Sequence, residues 1–132
     1  IVSYGWTKDN IAASLTDGLM TREAAFSNDT TWTDTNFDFR APGAGTITVL
    51  TVAIDVDANA RTAGTLTITA FVANAATALT VVIDGTNTLE SITTGGTVAF
   101  TKGQRVGARI TTTAAWLPVT ADVAVTMIVS YT

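Results

Sequence analysis

Between residues 65 and 110 the sequence repeats one pattern. The runs Leu66-Thr-Ile-Thr-Ala-Phe-Val72, Leu79-Thr-Val-Val-Ile83, Val98-Ala-Phe100 and Val106-Gly-Ala-Arg-Ile110 mostly alternate an apolar residue with Thr, Gly or Arg. Successive side chains of a strand point to opposite faces, so this period predicts strands with one buried face. The separators are Asn74-Ala-Ala-Thr77, Asp84-Gly85, Gly95-Gly96 and Lys102-Gly103. Asn, Asp and Gly tolerate the backbone of tight turns, so each separator is read as a turn, the last closing a hairpin.

The flanking segments read as sheet partners of this block. Residues 32–40 alternate, with Phe37 and Phe39 on one side and Asn36, Asp38 and Arg40 on the other. Ala41-Pro-Gly-Ala-Gly45 then makes a turn. The longest strand candidate is 46–57. Ile47 and Val49 share one face there, and Leu50, Val52, Ile54 and Val56 share the other. A β-bulge would turn both sets toward one core; otherwise the two halves meet a core and a partner subunit. Residues 123–131 form a long, mostly apolar last strand suited to the middle of a sheet. Leu89 and Ile92 are out of phase, so 87–94 reads as half strand and half loop. Residues 111–118 are small or polar apart from Trp116 and Leu117, which suggests a loop with an apolar plug.

Residues 1–29 differ. Ile1-Val-Ser-Tyr4 reads as a short strand. Leu19, Arg22, Glu23 and Phe26 stand at helical spacing, but so short a helix needs packing to persist. The expected division is an N-terminal arm or interface segment over 1–29 and a sandwich over 30–132. The competing reading lays 1–29 on the same domain as a loop.

Composition narrows the chemistry. The 132 residues suit one domain. Thr occurs 28 times, and its branched Cβ favours strands. With no Cys and no His, thiolate nucleophiles, disulfides, His-based metal sites and a His-dependent serine triad are excluded. Net charge is −4, and the seven basic residues lie scattered at 8, 22, 40, 61, 102, 105 and 109. No basic patch is visible in the sequence, which argues against nucleic acid as a partner. No apolar run approaches a membrane-spanning length. The chain begins at Ile1 rather than Met, which suggests a processed, trimmed or excised piece, and no signal peptide is visible. Asn28-Asp-Thr30 matches a glycosylation acceptor, a triplet common by chance.

Eight or so antiparallel strands with Gly, Pro and Asn turns describe an all-β antiparallel sandwich. Even spacing and the lack of a Cys–Trp–Cys pattern favour a jelly roll over an immunoglobulin domain. The stretch 66–110 also resembles the compact jelly-roll domains of phage tail, collar and head fibres. These are similar in shape to the C1q/TNF-like heads of bacterial collagen-like proteins. The resemblance rests on the strand ending at Asn74, on Thr77-Ala-Leu-Thr-Val-Val-Ile-Asp-Gly85, and on Thr97-Val-Ala-Phe-Thr-Lys-Gly103 leading into Gln104-Arg-Val-Gly-Ala-Arg-Ile110. Ala75 stands where such domains often have Gly, and Gln104 where they often have Asp. The resemblance implies a TNF-like homotrimer without catalysis: a virion structural part that contacts other virion proteins and attaches to a host surface.

Candidate sites are few. Asp55, Asp57 and Asn59 form an Asp-x-Asp-x-Asn run that could donate oxygens to calcium, but the Gly and distal Glu of an EF loop are missing; a solvated strand end is the plainer reading. Asp34 and Asp38 could flank a sugar bond only if a cleft brought them face to face. Trp6, Trp32 and Trp116 are candidates for an interface or a glycan anchor, against the reading that each covers an end of the core. Phe71 sits opposite the main apolar stripe, as do Val82 and Ile128, which suggests a second packing surface on a subunit neighbour. Two other functions fit the same residues. A carbohydrate-binding module or lectin would use exposed Trp and acidic loops. A filament subunit would lend its Ile1–Tyr4 strand to the next copy.

Overall fold

The structure, a computed structural model, describes residues 1–8, 11–19, 39–55, 63–84, 91–117 and 121–132. Nine strands lie within them: β1 Val2–Lys8, β2 Thr16–Leu19, β3 Phe39–Arg40, β4 Gly45–Asp55, β5 Thr65–Val72, β6 Ala75–Asp84, β7 Ser91–Phe100, β8 Arg105–Thr112 and β9 Asp122–Tyr131. All pairings are antiparallel. Sheet A has the order β1-β9-β4-β7, and sheet B the order β2-β8-β5-β6, with β3 following β2 along the edge of β8. Among the described strands only β5 and β6 form a hairpin within one sheet. From β3 onward every other connection crosses between the layers. That wrapping of strands remote in sequence is a jelly roll.

The core is the space between the sheets. Sheet A contributes Ile47, Leu50, Val52 and Ile54 from β4, and Val123, Val125, Met127 and Val129 from β9. Sheet B contributes Leu66, Ile68 and Ala70 from β5, Leu79, Val81 and Ile83 from β6, and Val106, Ala108 and Ile110 from β8. All are buried, as the period-two pattern requires. Full burial of a Val, Leu or Ile side chain is worth roughly 1.5–3 kcal/mol. The phase change in β4 is resolved by a bulge between Ile47 and Val49, present in the registers with both β7 and β9. It brings Ile47 into line with Leu50, Val52 and Ile54. Val49 does not join them: it lies half-buried opposite Ile128.

The first residues belong to the sandwich. β1 pairs with β9 from Val2 to Lys8, and β2 pairs with β8. Trp6, Ile11 and Leu15 lie in the core cluster. Ile11 N–H donates to Ala121 O at 2.9 Å, and Thr112 N–H to Leu15 O at 2.9 Å. Among the described residues, a boundary at residue 30 therefore separates no arm from the domain. The physical reason is burial: a Trp and an Ile on this segment complete one end of the core. The Ile1–Tyr4 strand is likewise paired inside its own chain. The helix expected from Leu19 lies outside the described residues except for Leu19 itself, which ends β2. Asn28, and the strand over 32–40 apart from Phe39 and Arg40, also lie outside them.

Three turn readings change. Gly95 and Gly96 are inside β7, not between strands. A Cβ on Gly96 would stand 2.8 Å from the Leu79 side chain, so this glycine serves close packing between the layers. The turn after β5 is Ala73-Asn74 alone, both with positive φ (50° and 65°), and Ala75 to Thr77 already belong to β6. The turn at Lys102-Gly103 does not make a hairpin. It carries the chain from β7 in sheet A to β8 in sheet B, held by Gln104 N–H donating to Thr101 O and Thr101 N–H to Gln104 Oε1. Local turn chemistry reverses a chain but does not choose each strand's partner.

Two substitutions test this packing. Trp6→Ala removes a ring that is 2% exposed. It should cost about 3–5 kcal/mol in urea unfolding, whereas an accessory arm would leave the midpoint unmoved. Gly64 has φ +81°, and a Cβ there would stand 2.4 Å from the Trp116 backbone. Gly64→Ala should cost at least about 2 kcal/mol by the same measurement.

Candidate functional site

The outer face of sheet A is built from the positions that alternate with the core. Where β9 and β4 pair, Ser130 faces Thr46, Ile128 faces Val49, Thr126 faces Thr51 and Ala124 faces Ala53. β1 extends these rows with Ser3 beside Ile128 and Gly5 beside Thr126. β7 extends them with Ala99 beside Thr46 and Gly95 beside Val49, and Thr97 shares the outward side. None of these thirteen residues is buried and none carries a charge. The chain as a whole is 14% charged, so about two charges would be expected among thirteen positions. The first charges in register are Asp55 and Asp122, which pair at the far end of β4 and β9.

The outer face of sheet B is different. It presents Thr65, Thr67 and Thr69 on β5, Val82 and Asp84 on β6, and Arg105 and Arg109 on β8, with Arg40 of β3 in register with Arg105. Phe71 is half-buried there, in register with Gly107 and capped by the Arg109 guanidinium 3.7 Å from its ring centroid. Arg109 also donates to Asn74 Oδ1. Phe71 and Val82 thus lie on one layer and Ile128 on the other, so the three do not form one patch. Only Ile128 belongs to the uncharged face, with Val49 as its apolar neighbour.

One end of the sandwich is closed by aromatic rings. Tyr4 stacks on Phe39 with centroids 3.9 Å apart, joining β1 of one sheet to β3 of the other. The Tyr4 and Tyr131 hydroxyls share a hydrogen bond of 2.7 Å, and Phe100 meets Tyr131 edge-on at 5.8 Å. Partial burial, then the hydrogen bond and proximity to Tyr4, push the Tyr131 phenol up to about 12 from 10.0. Gly45 permits this closure, since a Cβ there would stand 2.6 Å from Ser130 O and 2.8 Å from the Phe100 ring.

The residues singled out from sequence are dispersed. Trp6 and Trp116 are 2% and 0% exposed and belong to the core, as covers of its ends rather than outward rings. Their indole N–H groups are buried without a hydrogen-bond partner, a cost of about 1–3 kcal/mol each that packing must offset. Burial leaves neither ring a face for a sugar on this chain. Trp116 is the plug expected of its loop: Trp116 N–H donates to Thr113 O at 3.1 Å and Leu117 N–H to Ala63 O at 3.0 Å, fastening the loop over it. Asp55 ends β4 opposite Asp122, while Asp57 and Asn59 of the calcium reading lie outside the described residues. So do Trp32, Asp34 and Asp38. Among the described residues no three acidic side chains come together as metal ligands. Among the described residues no helix is long and apolar enough to cross a membrane. Sequence reasoning missed the uncharged face, although its signal was present: no charge occurs between Arg40 and Asp55, or after Asp122.

No protein-family description matches the chain, and no curated protein does. Among solved structures it is similar to the globular domain of zebrafish complement 1qA protein. The identity is 15% over 98% of this chain and 97% of that one, with a TM-score of 0.43. The strand order, rather than this likeness, identifies the fold as a jelly roll.

The aromatic closure has a pH signature. A phenol whose folded pKa is raised contributes stability that is intact below its unfolded value and lost as pH rises toward the folded one. Stability should therefore fall between pH 10.0 and about 12. Tyr131→Phe should flatten that part of the pH–stability curve and remove the tyrosine ionisation near pH 12 that absorbance at ~295 nm should show in the wild type. An unchanged slope in the variant would remove the assignment.

Proposed function

We propose that the chain is a non-catalytic assembly module: a trimeric jelly-roll head, collar or decoration part of a virion that acts by shape and avidity. The observation that carries assembly is the uncharged outer face of sheet A. A solvated sheet face normally bears charge, whereas a face covered by another copy is freed from that need. At ~3.4 Å per residue and ~4.8 Å between strands, four strands of about ten residues offer roughly 650 Å² of flat area. That approaches the ~800 Å² that each partner gives to a standard interface. Small side chains let a second layer approach closely, and Ile128 with Val49 supplies an apolar centre.

Threefold symmetry and the virion setting come from the resemblance of residues 66–110 to phage fibre domains. In that setting rigidly held copies multiply weak contacts with a host surface into a firm grip. The absence of His and Cys from the chain supports a role without His-based acid–base or thiolate chemistry. The lectin reading loses its best-placed rings, because Trp6 and Trp116 are spent on the core.

Light scattering behind a sizing column decides the matter. The wild type should run as three times 13.7 kDa. Thr126 is exposed in the middle of the face, so Thr126→Glu should yield monomers that keep the wild-type strand signal in circular dichroism and melt at a lower temperature, because the stabilisation given by assembly is lost. A monomeric wild type would end the proposal. An undissociated Thr126→Glu would move the interface elsewhere.

A further inference from the structure

The chain has two tyrosines, and the fold brings them together. Tyr4 and Tyr131 are 127 positions apart in sequence, yet their hydroxyls lie 2.7 Å from each other. Backbone pairing alone does not account for this. Tyr4 is in register with Met127, four residues before Tyr131, so the side chains reach toward each other along the strands. Each ring is also held from another side. Phe39 stacks on Tyr4, and Phe100 meets Tyr131 edge-on. Neither Phe carries a hydroxyl, so the reactive partner of each phenol is the other phenol. Both rings are half-buried at the open end of the sandwich, where small oxidants can reach them.

β1 is the strand with most to gain from a fastening. It is an edge strand with β9 on one side, and Ile1 before it is 95% exposed. Terminal segments are the first to loosen unless they are tied down. The chain has no Cys, so no disulfide can tie this one.

We infer that Tyr4 and Tyr131 form an oxidative coupling site, where hydrogen peroxide activated by a haem peroxidase joins the two rings as dityrosine and staples the first strand to the last. Each phenol gives one electron to the oxidant and its O–H proton to water. The radical spreads to the ring carbons beside the C–O bond, and one such carbon of each ring forms the new C–C bond. The hydrogens on those two carbons leave as protons, and both oxygens are protonated again. Overall the pair loses two electrons and two protons, which convert one hydrogen peroxide into two waters. The product keeps its hydroxyls on carbons next to the new bond, so they stay neighbours as they are here. Held side by side, the rings couple in a unimolecular step. The site is independent of the assembly face, because both tyrosines pack against the core, on the opposite side of sheet A from the thirteen uncharged positions.

The test treats the full chain with hydrogen peroxide and a haem peroxidase, native and in urea, at several protein concentrations. The native chain should lose two hydrogens in intact mass and gain blue dityrosine fluorescence. Trypsin should then release residues 1–8 joined to residues 110–132, with a yield independent of protein concentration. A link between residues 4 and 131 closes nearly the whole chain, and longer closed loops give more stability, so the product should melt roughly 10 °C or more higher. Tyr4→Phe keeps the ring that stacks on Phe39, and Tyr131→Phe the ring that meets Phe100; both should fold and neither should give the joined peptide. No product, coupling mainly between chains, an equal yield in urea, or wild-type fluorescence in either variant would overturn the inference. An unmoved melting temperature in the coupled chain would remove the staple.

Discussion

The bulge at Thr48 in β4 holds the phase of the whole sandwich. β4 sits between β9 and β7, and both registers shift between Ile47 and Val49. A strand alternates strictly, so one inserted residue exchanges its two faces. Without it, either Ile47 or the Leu50, Val52 and Ile54 row would point away from sheet B. Thr48 Oγ1 donates to Ile128 O at 3.3 Å at that point. The same step puts Val49 opposite Ile128 on the outer face, and so creates the apolar centre of the uncharged surface. Core and candidate interface therefore depend on one irregularity.

The two outer faces divide the charge unequally. Sheet A shows Thr, Ser, Ala and Gly around Val49 and Ile128, while sheet B shows arginines at one end and threonine rows beside them. If copies cover sheet A, sheet B is what the assembly turns outward. Gly96 of β7 and the stacked Tyr4–Phe39 pair do different work: the glycine lets the Leu79 side chain of the other layer come close, and the rings join β1 of one sheet to β3 of the other. With Ala so frequent, large rings are placed where the layers would otherwise gape: Trp6, Trp116 and Phe100 are all buried.

Much of the fold was legible in the residues. The rows Leu66–Ile68–Ala70, Leu79–Val81–Ile83 and Val123–Val125–Met127–Val129 were readable as single faces, because period two depends only on local backbone geometry. The bulge was readable as a break in that period. The site was much less legible. Phe71, Val82 and Ile128 all stand off the main stripe, and nothing local says that they end on opposite layers. Trp6 looked like an arm residue because its partner, β9, is more than a hundred residues away. Lys102-Gly103 looked like a hairpin because turn chemistry is the same whether the next strand pairs with the last or crosses to the other sheet.

What the sequence determined by itself is therefore most of the strands with their inward faces, the break of phase in β4, and the exclusion of His and Cys chemistry, since each follows from residue type and nearest neighbours; β2 and the passage of β7 through Gly95-Gly96 were not among them. Tertiary structure alone decided which strands are adjacent. Pairing β1 with β9 and β4 with both β9 and β7 collected thirteen uncharged positions onto one face. Pairing β3 with β8 set Arg40 opposite Arg105, although the basic residues are scattered along the chain. A surface is the sum of strands that contact order separates widely, so its charge is a property of topology and not of any stretch of sequence.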